Sequence, residues 1–189
     1  MRWQQLFADL QAQFEEEEAS AERGEFASRA RAEIGAVELA QRLRGSVGGT
    51  LSVSCSGAGQ VVGVLADVGV DWLLLEDDRA RPSLVATSAV RSVRGLGRRT
   101  AAAEEAGPVR GRLDLRRALR GLARDRSTVQ VVLDDGSVLN GTVDRVGVDY
   151  VEIAEHPVDL PRRAEAVRSV SAVVIRAVAV VRTATPGLD

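Results

Sequence analysis

Four arginines, Arg112, Arg116, Arg120 and Arg124, recur every fourth residue in the segment RLDLRRALRGLARDR at 112–126. That spacing lines up side chains on one stripe of a helix. A guanidinium is a rigid fork of donors that matches phosphate oxygens. From Arg91 to Arg126, eleven arginines stand against Glu104, Glu105, Asp114 and Asp125, a local net charge of +7. The stripe therefore predicts a phosphate contact. Its competitor is a solvated face, or pairing with the acidic run Glu15 to Glu18. Trp72 and Tyr150 form a second candidate set, each following a Val-Gly-Val-Asp stretch. A flat ring there either stacks on a nucleobase or closes one end of a small core. Aromatics make up only 3% of the chain, which favours the closing role.

Other chemistries lack their parts. His156 is the only histidine and Cys55 the only cysteine, and the two fall in different halves of the chain. A metal site or a nucleophile–base pair needs partners that are not nearby in sequence. Phosphate-cradling glycine motifs are absent, and the carboxylate pairs Asp77-Asp78 and Asp134-Asp135 sit where hairpin turns are expected. The sequence thus points to a non-enzyme with no catalytic residues, no metal and no cofactor. A net charge of −2 gives no global pull toward nucleic acid, and no apolar run reaches the length of a membrane span. The first residues, MRWQQLFADLQAQFEEEE, are acidic and amphipathic rather than signal-like. All twenty-five basic residues are arginine, which reads as coding bias in a GC-rich genome. With no disulfide to form, a cytoplasmic, bacterial setting is expected.

The elements that would position these residues follow from periodicity. Trp3, Leu6, Phe7, Leu10 and Phe14 have helical spacing, as do Phe26, Ala30, Ile34, Val37 and Leu43 before the stop at Gly45. After Gly49 the period falls to two, and five short strands are predicted through Val93. A linker at 98–111 leads to the Arg-rich helix. A second strand series starts at Val129, with the hairpin signal Asp134-Asp135-Gly136. The segment VSAVVIRAVAVV at 170–181 reads as one long strand. The expected division is helices at 1–44, a β unit at 45–97, the linker at 98–111, a helix plus β unit at 112–182, and a tail at 183–189.

The two β units share text. GVLADVGVDWLLL at 63–75 returns as GTVDRVGVDYVEI at 141–153, and AVRSV at 89–93 returns at 166–170. Two matches in the same order indicate a tandem duplication. The second copy, DGSVLNGTVDRVGVDYVEI, carries Gly136 and Gly141 five positions apart before a bent strand and a return strand. It resembles the first motif of the Sm-like fold, the family of bacterial Hfq-type RNA chaperones. VATSAVRSV at 85–93 and RAEAVRSV at 163–170 look like its second motif. The resemblance covers about 44–97 and 112–182. It implies a mainly β protein with helices (α+β): two Sm-like small antiparallel β-barrels, each preceded by an α-helix, plus an N-terminal amphipathic helix. It also implies RNA binding and strand-edge oligomers. Yet the positions that carry RNA-contact Asp and Asn in that family hold Gly69 and Gly147, then Leu73 and Val151. Where its Lys-His pair stands, this chain has Thr87-Ser88 and Ala164-Glu165.

Two functions follow as expectations. One is a non-catalytic nucleic-acid binder, of RNA first, using Arg112, Arg116, Arg120 and Arg124 with Trp72 and Tyr150. The other is a protein-interaction or assembly module that kept the fold and lost the RNA sites. Its partners would be a protein docking the N-terminal helix, or further copies of the chain at strand edges.

Overall fold

A computed structural model describes residue 16 and residues 34–101, 113–157, 163 and 166–183. The chain divides into two compact units, 1–38 and 39–189. The expected helix at Trp3–Phe14, Arg112, most of the linker and most of the tail lie outside the described residues. The longer helical pattern ending at Gly45 is broken at residues 36–38, and only α1 (Leu39–Arg44) continues to the stop.

The second unit is built on ten strands. They are β1 (Thr50–Cys55), β2 (Gly59–Val68), β3 (Trp72–Glu76), β4 (Pro82–Ala86), β5 (Val90–Arg94), β6 (Thr128–Leu133), β7 (Val138–Val146), β8 (Tyr150–Glu155), β9 (Ser169–Val174) and β10 (Val178–Thr183). Helix α2 (Leu115–Asp125) precedes β6. Alternation dictates which faces turn inward: in β1, Leu51, Val53 and Cys55 are buried and Ser52 and Ser54 are not. The long strands β2 and β7 each carry a bulge, at Leu65/Asp67 and Val143/Arg145, at matching places in the repeat. A bulge bends a strand, so the same sheet curvature is written into both halves.

All ten strands form one antiparallel sheet in the order β5-β1-β2-β3-β4-β10-β6-β7-β8-β9. This corrects the expectation of two closed Sm-like barrels. To close the first half, β4 would have to pair with β5. It pairs instead with β10 of the second half, in the register Val85↔Val180, Leu84↔Val181 and Ser83↔Arg182. The sheet stays open, with β5 and β9 as its edges. Each half keeps the same internal order, so the duplication itself is visible in the topology.

Two sequence equations also change. AVRSV at 166–170 is not the counterpart of AVRSV at 89–93, because the strand that sits on β6 as β5 sits on β1 is β10. The five-residue identity lies in the approach to β9, and RAEAVRSV is not the second motif. The apolar run 170–181 is two strands, broken by a 3-10 turn at Ile175–Ala177 that matches the one at Thr87–Ala89.

The halves exchange core residues at their junction. One buried cluster takes Val132, Ala179 and Val180 from the second half among Leu43, Leu51, Val53, Leu65 and Leu73 of the first. The other takes Trp72, Leu84 and Ala86 from the first half among Leu115, Leu119, Val129, Val143 and Ile153. Neither half closes its own core.

Candidate functional site

Helix α2 begins at Asp114, whose carboxylate accepts the Arg117 amide in an N-cap, and ends at Arg126 in the left-handed region. Leu115 and Leu119 are its buried side. Of the predicted stripe, Arg120 and Arg124 are exposed, while Arg116 is partly covered and lies 3.6 Å from the Asp114 carboxylate. Arg112 is outside the described residues. The described stripe is therefore not a uniform free face, since its first member already has an anion. Trp72 is 6% exposed, sits in the core cluster and donates its indole N–H to the Leu113 carbonyl at 2.8 Å. It has no face free for a base. Tyr150, its equivalent, is 39% exposed. Among the described residues, Trp72 is buried and so shares no exposed surface with Arg120, Arg124 and Tyr150.

His156 is a structural residue. It is buried, with Nδ1 2.9 Å from the Pro157 carbonyl and Nε2 2.8 Å from the Thr142 hydroxyl. A carbonyl only accepts, so Nδ1 carries the proton and Nε2 accepts from Thr142. Both ring nitrogens are thereby used. Cys55 is buried too, and burial pushes its thiol up, partly offset by the positive charge of Arg182. Among the described residues no group of His, Cys, Asp and Glu is placed to hold a metal ion, and no described helix is long and apolar enough to cross a membrane.

The best-built feature is the junction between the halves. On the backbone, β4 takes β10. Beside it, the β2–β3 turn takes the start of α2: the Val70 amide and the Trp72 indole both donate to Leu113, and the Asp71 carboxylate accepts the Leu115 amide at 2.6 Å. Asp71 thus reaches 44 residues along the chain. Gly69 makes room for this arrangement. A Cβ there would fall among the ring atoms of Trp72. A third contact comes from the β1–β2 hairpin, where Gly57, at φ +66°, packs its backbone on Leu133 to Gly136.

A polar groove of about 400 Å³ crosses this junction, lined by Gln60, Asp77, Arg81, Gln130 and Arg182. Asp77 and Arg81 pair there at 2.7 Å, and the hydrogen bond from Arg81 holds the Asp77 carboxyl below its usual range.

The same parts recur in the second half, where Val148, Asp149, Val174 and Ile175 line a hollow together with Asp71, Ser88 and Leu115 of the junction. The strand equivalent to β4 is β9, an edge with the sequence SVSAVV and no charged residue. Leu84 and Ala86 of β4 are buried, whereas their counterparts Ala172 and Val174 are exposed, Val174 to 43%. The turn equivalent to Val70–Trp72 is Val148–Tyr150. The Gly147 amide donates to the Tyr150 carbonyl as Gly69 does to Trp72, so the turn is preformed. Among the described residues no hydrogen bond ties this turn to a helix, and Val148 and Tyr150 are exposed. The opposite edge, β5, carries Arg91 and Arg94. A charged edge resists casual pairing, but β9 has no such guard. The sequence reading placed a Val-rich strand at 170–181 and expected copies to meet at strand edges; which part of it forms the exposed edge depends on which strand is last in the sheet.

No protein-family model matches the chain, and neither does any curated protein.

Proposed function

We propose that the protein is a non-catalytic interaction module that works by strand addition at the open end of its sheet. The observation that carries this reading is β9: six residues of edge strand, uncharged, with Val170, Ala172 and Val174 exposed and no described strand on its outer side. An extended partner strand laid on such an edge gains main-chain hydrogen bonds, and the exposed alternate side chains add specificity. The internal β4·β10 pairing is a worked example of what this sheet accepts. The phosphate-contact reading is less well supported, since Trp72 is buried and Arg116 is paired within its own helix.

Ala172→Glu with Val174→Glu puts two charges on the exposed face of the edge without touching the core. Light scattering across a range of protein concentration should show association in the parent chain and its loss in the double variant, with unchanged far-UV circular dichroism. A parent that stays monomeric at every concentration, and that carries nucleic acid through low-salt purification (absorbance ratio at 260 and 280 nm), would overturn the reading.

A further inference from the structure

The polar groove across the junction holds a cation without an anion of its own. On β10, Arg182 stands opposite Ser83 of β4 on one side and Gln130 of β6 on the other, and Gln130 stands opposite Asn140 of β7. Cross-strand partners share a face of the sheet, so the pairing of β4 with β10 lines up polar side chains from both halves in one row. Gln130 is held by Asn140, donating from Nε2 to its Oδ1 at 3.3 Å, and its Oε1 accepts from Arg182 at 3.5 Å. That long contact is the only side-chain hydrogen bond of Arg182 among the described residues, and none of their carboxylates forms an ion pair with it. A guanidinium carries five N–H donors, so most of this fork is uncommitted.

Asp77, the carboxylate on the groove wall, is already engaged. It accepts the Arg79 and Arg81 amides at 2.9 Å each and the Arg81 side chain at 2.7 Å. With Arg81 and Asp77 cancelling, the net charge of the lining is that of Arg182, +1.

We infer that this groove is a binding site for a small hydroxylated monocarboxylate, a sugar acid by chemical class, whose carboxylate is gripped by the Arg182 fork. Two carboxylate oxygens match two parallel N–H groups of one guanidinium. A phosphate dianion is a poorer match, because the lining offers one net positive charge and includes the Asp77 carboxylate. Hydroxyl groups of the ligand meet the Ser83 hydroxyl and the Gln60 side-chain carbonyl, neither of which has a hydrogen-bond partner among the described residues; the Gln60 amide nitrogen donates to Ser52. The volume of about 400 Å³ lies within the range of about 300–1,000 Å³ usual for small-molecule sites. No residue of β9 lines the groove, so the site is independent of strand addition.

Titration calorimetry of the full chain with D-gluconate at low salt should give a Kd of about 1 mM or tighter. Sorbitol, the uncharged polyol, and inorganic phosphate should each bind at least about tenfold more weakly. Gluconate should also raise the thermal midpoint, because it binds the folded chain alone, and sorbitol at the same concentration should not. Arg182→Gln should weaken gluconate by about tenfold or more with unchanged far-UV circular dichroism, and Arg182→Lys, which keeps the charge and loses the fork, should recover only part of the loss. Arg81→Gln provides a variant at a half-exposed side chain: it leaves Arg182 in place but strips Asp77 of its counter-charge, so gluconate should weaken severalfold. Phosphate binding as tightly as gluconate would overturn the carboxylate assignment. No gluconate binding up to about 10 mM, or equal affinity in the parent, Arg182→Gln and Arg81→Gln, would overturn the site.

Discussion

Asp71 and Asp149 are the same residue in two copies of one turn, and only one of them has a helix to hold. Replacing Asp71 by Ala removes the acceptor 2.6 Å from the Leu115 amide. A hydrogen bond to an ionised group contributes about 1.5–3 kcal/mol, and an orphaned, partly buried N–H costs about 1–3 kcal/mol. Part of this is recovered, because α2 keeps its own cap from Asp114 to Arg117. The expected loss is about 2 kcal/mol. For a chain of this size each kcal/mol moves the thermal midpoint by about 2–4 °C, so the shift is about 4–8 °C downward. Asp149→Ala, at a turn that holds no helix, should stay within about 0.5 kcal/mol of the parent. Urea unfolding followed by circular dichroism, at concentrations low enough to keep copies apart, measures both. Trp72→Phe, which deletes the indole donor to Leu113, supplies a coupled partner. Because Asp71 and Trp72 fasten the same three residues, 113–115, the double variant should depart from additivity by about 0.5 kcal/mol or more. Equal midpoints for Asp71→Ala and Asp149→Ala would refute the account of how the two halves are joined.

Gly69→Ala should cost about 2 kcal/mol or more, since its methyl meets the ring of a Trp72 that is packed on all sides. Gly147→Ala should cost less, because the half-exposed Tyr150 has room to turn away; similar losses for both would deny that packing decides them. Thr142→Val keeps the shape but leaves His156 Nε2 without its donor, so about 1–3 kcal/mol should be lost in denaturant titration; a neutral result would mean the imidazole finds another partner. Cys55 should resist alkylation in the folded chain at neutral pH and react on unfolding, as its burial and raised thiol value imply. Because the folded thiol holds its proton more tightly than the unfolded one, its contribution to stability is full below the ordinary thiol value and is lost as pH rises above it through the raised folded value. A thiol that reacts at the same rate in native and denatured protein would contradict the burial.

Local rules decided much of this molecule. Alternation in Leu51-Ser52-Val53-Ser54-Cys55, the hairpin signals at Gly57–Gly59 and Asp134–Gly136, and the apolar face Leu115, Leu119 and Leu122 place strands, turns and α2 close to where they are found, because period and turn chemistry act over a few residues. The duplicated Val-Gly-Val-Asp turns foretold two like halves for the same reason. What local rules do not reach is the choice of partner strand. A strand such as β4 presents the same hydrogen-bonding edge to β5 or to β10, and the outcome turns on which core the neighbours complete. Val180 enters the cluster of the first half and Leu84 that of the second, so the halves join each other and neither closes on itself. The same choice buries Trp72 and leaves Tyr150 in solvent, though both follow identical words. It also reassigns AVRSV, whose second occurrence matches the first in letters but stands at a different point of the sheet. Strand and turn are properties of a few neighbouring side chains; edge, junction and exposure are properties of the whole sheet, and only the tertiary structure decided them.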